Sequence, residues 1–125
     1  MSLLEIKNLC LEFGSGKDAV RAVDGLSLSI GEGETVCLVG ESGSGKSVTA
    51  LSVARLVPSP PANYPEGEIL VNGRDVLKMS KRELRQIRGG DISMIFGKVF
   101  LARRCSFLCI SRENVGKTIY SKCSL

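Results

Sequence analysis

Eight residues constrain this chain more than any others: Gly40-Glu41-Ser42-Gly43-Ser44-Gly45-Lys46-Ser47. They fit G-x-x-x-x-G-K-[ST], the pattern of a phosphate-binding loop set between a strand and a helix. The flanks agree with that context. Thr35-Val36-Cys37-Leu38-Val39 is a short apolar run rich in β-branched residues, so a buried strand is expected there. Ser47 to Val57 is rich in Val, Ala and Leu and reads as a helix.

The residue types follow from the chemistry of a bulky, highly charged triphosphate. Gly40, Gly43 and Gly45 carry no Cβ, so the backbone can approach the anion closely. Glu41, Ser42 and Ser44 complete the loop. Its successive N–H groups would form a concave anion nest. Val48 lies on the helix start, where free N–H donors and the positive end of the dipole favour negative charge. Lys46 would reach the β- and γ-phosphates, and the Ser47 hydroxyl would be a ligand to Mg²⁺. The plain alternative is a glycine-rich turn followed by a chance Lys-Ser; the agreement of strand, loop and helix argues against it.

Around this loop the chain is mostly extended. Leu3 to Phe13 reads as one strand, or two interrupted at Lys7-Asn8. Ala19 to Ile30 is a second extended region, with Leu26, Leu28 and Ile30 alternating with Ser27 and Ser29. Asp24-Gly25 is either a hairpin turn or a bend within that strand. Prolines 58, 60, 61 and 65 place a surface loop over residues 58–65. Glu68 to Val71 is a short strand closed by the turn signal Asn72-Gly73. Ser80-Lys81-Arg82-Glu83 matches a capping box and opens a helix to about Arg88, stopped by Gly89-Gly90. Ile92 to Phe96 is a further strand.

At Gly97 the character changes. Residues 1–96 hold 11 Lys/Arg and 12 Asp/Glu, whereas residues 97–125 hold 6 and 1. Such a break suggests a segment of different origin or role. Neither helical nor strand periodicity persists there. Arg103-Arg104, Arg112, Lys117 and Lys122 would suit anionic lipid or nucleic acid. The abrupt change points instead to a tail with no selected role, non-native or disordered, and no nucleic-acid partner is expected. Cys105-x-x-x-Cys109 lacks a histidine and a second ligand pair at metal-site spacing. With an odd set of five cysteines and a start without a basic region and long apolar core, a reducing cytoplasm with free thiols is the default expectation. Cys37 reads as a small buried hydrophobe. No run approaches the ~20 apolar residues of a membrane-spanning helix.

From Leu3 to Phe96 the chain resembles the nucleotide-binding domain of ABC transporters. The resemblance rests on residues 40–47, on Gly67-Glu68-Ile69-Leu70-Val71-Asn72-Gly73 and on Asp91-Ile92-Ser93-Met94-Ile95-Phe96. Glu41, Ser47-Val48-Thr49-Ala50-Leu51 and Glu83-Leu84-Arg85-Gln86-Ile87-Arg88-Gly89 look like the importers of dipeptides, oligopeptides, glutathione or nickel. The resemblance implies ATP and Mg²⁺ as cofactors, with permease subunits and a second ATP-binding subunit as partners. It also implies a peripheral place at the inner face of the cell membrane. It puts Phe13 where the family carries an adenine-stacking aromatic; an ordinary core phenylalanine is the alternative.

The family's glutamine after the strand ending at Phe96 is Gly97 here. No Leu-Ser-Gly-Gly-Gln signature, no strand ending in Asp-Glu and no histidine occurs in the 125 residues. The expected fold class is therefore α/β: an incomplete P-loop NTPase fold of the ABC type with an N-terminal antiparallel β region. Residues 1–96 would be the first part of that domain and residues 97–125 an unrelated tail, as a frameshift, insertion or chimeric end would produce. The expected function is ATP binding by a truncated importer subunit. A P-loop NTPase outside transport and a non-catalytic interaction protein are the alternatives.

Overall fold

The strand that opens the chain becomes the centre of the sheet. The computed structural model describes residues 2–32, 34, 36, 38, 45–99 and 102–110. Ser2–Phe13 forms β1, and a short 3₁₀ turn at Gly16–Asp18 leads to Val20–Gly31, β2. β2 pairs antiparallel with one edge of β1. Ala62–Val71, β3, pairs antiparallel with the other, and Arg74–Asp75, β4, completes a four-stranded sheet in the order β2-β1-β3-β4.

Both ambiguities in the first two strands resolve as bulges. β1 is continuous, with an extra residue at Lys7-Asn8 between the pairs Ile6–Leu28 and Leu9–Leu26. Asn8 takes a positive φ of 46° there. In β2 the extra residue falls at Asp24-Gly25, between Leu9–Leu26 and Leu11–Val23, where Gly25 has φ 67°. Asp24-Gly25 is thus a bend within the strand and not a hairpin turn. An extra residue unpaired in one strand kinks it and raises its twist.

Residues 62–65 depart from the expected loop, because β3 begins at Ala62 and runs through Pro65. The register explains how the sheet admits a proline. Cys10 pairs with Glu66 and Glu12 with Asn63, so Tyr64-Pro65 holds a further bulge. At a bulge the missing N–H does not break the ladder. Asn72 and Gly73, with φ 49° and 81°, close the two-residue hairpin from β3 to β4 as the sequence leads one to expect.

One apolar cluster joins sheet and helices. Leu4, Leu9 and Ile69 from the sheet pack with Val53 of the helix Lys46–Val53, α1, and with Leu84 and Ile87 of the helix Lys81–Ile87, α2. Leu9 and Ile69 are wholly inaccessible, and such a side chain contributes about 1.5–3 kcal/mol by leaving water. The Ser80–Glu83 capping box is present. The Ser80 hydroxyl accepts from Glu83 N at 3.3 Å, and Ser80 N donates to the Glu83 carboxylate at 2.7 Å. That backbone bond, then the hydroxyl, holds the Glu83 carboxyl below its ordinary pKa.

α1 ends earlier than expected, at Val53 rather than Val57. Arg55 adopts φ 53°, and Leu56 N donates to Leu51 O at 2.9 Å while Arg55 N donates to Ser52 O at 3.0 Å. This is a Schellman ending with arginine where glycine is usual. Tertiary contacts hold Arg55 there. Its guanidinium donates to Val76 O and Leu77 O and lies 5.6 Å from the Tyr64 ring centre. Arg88 then donates to the free carbonyls of Ala54 and Arg55, at 2.9 and 2.6 Å.

Ile92–Val99, β5, continues through Gly97, and Ala102–Ile110, β6, pairs with it antiparallel from Ile92–Ile110 to Val99–Ala102. No element beyond Phe96 is expected from the sequence alone. Arg103-Arg104 breaks any apolar alternation, yet the strand forms because antiparallel pairing needs only backbone groups and register. Buried Ile92 roots this hairpin in the main cluster.

Candidate phosphate-binding site

Gly45 is the pivot of the site. It caps α1 with φ 94° and ψ 5°, a left-handed conformation that costs an L-residue roughly 1–2 kcal/mol. A Cβ there would stand 2.6 Å from Ala22 O and 3.3 Å from Val23 Cγ2. The glycine at this position is therefore required twice, by φ and by the close approach of β2. Its carbonyl accepts from Thr49 N at 3.0 Å and from the Thr49 hydroxyl at 2.7 Å.

Lys46 is the first residue of α1, half-buried, and Ser47 follows it, exposed on the first turn. A cavity of about 720 Å³ opens between this helix end and β2. Gly45, Lys46 and Thr49 wall one side, and Ala22, Val23, Asp24 and Leu26 the other. The volume lies in the range of small-molecule sites. The Asp24 carboxylate on that wall would repel an anion, but it is paired with Arg21 at 3.0 Å. Arg21 also donates to Glu12 through Nη2 at 2.7 Å and Nε at 3.0 Å. These bonds, Glu12 first and Asp24 second, hold the Arg21 pKa above its ordinary value.

Of the residues singled out from sequence, Gly45, Lys46 and Ser47 come together at the helix start. Gly40, Glu41, Ser42, Gly43 and Ser44 lie outside the described residues, as do Thr35, Cys37 and Val39 of the expected strand. Val48 and Phe13, both partly buried, pack against one small cluster of Leu11, Val23, Val57 and Ala62. Phe13 is thus carried to the α1 side of the sheet while keeping an exposed part. The residues fit a Mg²⁺-bound triphosphate to this extent: a Cβ-free approach at Gly45, a cation at Lys46 and an exposed hydroxyl at Ser47. Among the described residues no cluster of three or more metal-ligating side chains is present, and no helix is long and apolar enough to cross a membrane.

The sequence alone assigns neither Thr49 nor the cavity wall on β2 to the site. A threonine and a serine, Thr49 and Ser52, inside an otherwise apolar helical run were the available signal. Both are buried and return their hydroxyls to carbonyls four residues back.

A protein-family model described as ABC transporter matches residues 23–114. The chain belongs to the ABC transporter family, and its fold is α/β, part of the P-loop NTPase fold of ABC cassettes with an N-terminal antiparallel β region. It is 44% identical over 94 residues to the oligopeptide transport ATP-binding protein OppD of Bacillus subtilis, covering 75% of this chain and 26% of that protein. It is 50% identical over 94 residues to the peptidoglycan transport ATP-binding protein YejF of Agrobacterium fabrum, covering 75% of this chain and 17% of the other. Among solved structures, the dimeric bacterial ABC transporter cassette MJ0796 matches with a TM-score of 0.61 and 29% identity. That match covers 71% of this chain and 36% of the cassette. The same cassette in a post-hydrolysis state with ADP and Pi matches with a TM-score of 0.57, 28% identity, and coverage of 67% and 34%. The chain thus spans about a quarter or less of the curated relatives described and about a third of the cassette.

Proposed function

We propose that this chain binds ATP with Mg²⁺ as part of an ATP-binding subunit of an importer of peptides or nickel. It would work with membrane permease subunits and a second ATP-binding subunit at the inner face of the cell membrane. The single observation that carries the reading is the meeting of Gly45, Lys46 and Ser47 at the start of α1, beside a cavity of suitable size. Lys46 would hold the β- and γ-phosphates by charge, and the Ser47 hydroxyl would be one ligand of Mg²⁺, whose charge offsets that of the phosphates. The loop from Gly40 to Ser44 would supply N–H donors, and Phe13 would stack on the adenine. The names of the relatives, ATP-binding proteins of oligopeptide and peptidoglycan transport, support a peptide-type cargo. Residues 1–96 would carry the site and residues 97–125 would be dispensable for it.

Calorimetric titration of ATP into the purified chain and into Lys46→Ala tests the reading. A charge-assisted contact is worth about 1.5–3 kcal/mol, so the variant is expected to bind roughly 10- to 150-fold more weakly. Equal affinity in the two proteins would refute it.

A further inference from the structure

The threonine four residues after Gly45 has no part in the phosphate-loop pattern, yet the structure binds it to that loop's last residue. Thr49 is 4% exposed, and both its N–H and its hydroxyl donate to the Gly45 carbonyl, at 3.0 and 2.7 Å. The carbonyl is thereby drawn along the helix toward Thr49. A trans peptide is planar, with its C=O and N–H opposed. Fixing the Gly45 carbonyl therefore fixes the Lys46 N–H in the reverse direction, out of the helix end. Gly45 is confined on its other side by Ala22 O of β2, which a Cβ would meet at 2.6 Å. The peptide is thus clamped between a strand and a buried hydroxyl, at the wall of the cavity that Thr49 and Lys46 share.

We propose that Thr49 is a positioning residue for phosphate binding: its hydroxyl holds the Gly45–Lys46 peptide with the N–H aimed at the anion. The proposal rests on the phosphate-binding reading of this loop. Serine and threonine within helices often bond back to the carbonyl four residues before them. The fold supplies its own control for that general habit. Ser52, fully buried, donates to Val48 O at 2.6 Å in the same helix and accepts from the Tyr64 hydroxyl at 3.1 Å, away from the N-terminal carbonyl. Ser52 should therefore matter for stability alone, and Thr49 for stability and affinity.

The experiment titrates inorganic tripolyphosphate with Mg²⁺ into the chain and its variants, well below the melting temperature, and records the melt of each unliganded protein. Thr49→Val keeps volume and removes the hydroxyl; a bond of this kind corresponds to a loss of roughly 2- to 12-fold in affinity. Thr49→Ser, which can make the same bond, is expected to bind like the parent. Ser52→Ala is expected to melt lower but to bind like the parent. Should Thr49→Val not fold, Thr49→Ala replaces it with the same expectation. Unchanged affinity in Thr49→Val, while Lys46→Ala binds weakly, would overturn the proposal and leave the phosphate site standing. Equal weakening in Ser52→Ala and Thr49→Val would overturn it too, by reducing Thr49 to a general stabiliser. Unchanged affinity in Lys46→Ala would overturn the underlying site and the proposal with it.

Discussion

Substituting Gly67 with alanine probes the architecture that carries the site. Gly67 lies in β3 opposite the β1 bulge, with φ 103°. A Cβ there would stand 2.5 Å from Leu9 Cα, 2.7 Å from Asn8 O and 2.8 Å from Leu9 N. All three are backbone atoms, so no rotamer change relieves the contact. Either the bulge moves or the β1–β3 pairing opens, and both strands feed the main apolar cluster through Leu9 and Ile69. The left-handed conformation contributes about 1–2 kcal/mol, and the overpacking about 1–3 kcal/mol more. Their sum, about 2–5 kcal/mol, is a large part of the stability of any single domain. Gly73→Ala is the matched control: its φ of 81° imposes the conformational cost, but nothing lies within 4 Å of the added carbon. Urea unfolding of the parent and both variants, followed by circular dichroism, gives the difference. Equal destabilisation by Gly67→Ala and Gly73→Ala would refute the close packing of β3 on the bulge.

Other outcomes follow from the same geometry. Arg88→Ala frees the Ala54 and Arg55 carbonyls at the end of α1 and is expected to lower stability by about 1–2 kcal/mol in the same urea assay, as charged hydrogen bonds are lost. Glu83 has a lowered pKa, so its contribution is complete above the ordinary glutamate range, near 4.5, and is lost as pH falls through the lower folded value. The difference in melting temperature between the parent and Glu83→Gln should therefore be present at neutral pH and shrink in acid. Phe13→Ala is expected to weaken ATP by about 1–3 kcal/mol, the worth of one base stacked on an aromatic ring, while leaving tripolyphosphate unchanged in calorimetry. The 125-residue chain is expected to release no phosphate from ATP above the level of Lys46→Ala, since it has no Asp-Glu strand end, no histidine and no glutamine at position 97 to orient water.

The local devices of this fold were legible because each is written in a few adjacent residues. Ser80 and Glu83 specify a helix start, Asn72-Gly73 a two-residue hairpin, and Gly45-Lys46-Ser47 the start of α1. Features decided by distant partners were not. Pro65 enters a strand only because the β1–β3 register places a bulge there. Arg55 ends α1 in a glycine-like conformation because Val76, Leu77 and Tyr64 hold its side chain. The β5–β6 hairpin is hidden by Arg103-Arg104, which breaks the alternation that a one-sided buried strand would show. Within the candidate site, the pattern names the residues proposed to meet the anion but not Thr49, whose hydroxyl donates to the Gly45 carbonyl.

Nuclear magnetic resonance of ¹⁵N-labelled chain, titrated with a non-hydrolysable Mg²⁺–ATP analogue, tests the central claim most directly. The fold offers a competing basic groove at the other end of α1, of about 420 Å³, lined by Arg55, Lys81, Arg85 and Arg88, with no acidic residue among the described residues that line it. If the phosphates bind at the start of α1, the largest amide shifts fall on Gly45, Lys46 and Ser47, saturate together and vanish in Lys46→Ala. Shifts concentrated on Lys81, Arg85 and Arg88, unaffected by Lys46→Ala, would contradict the account.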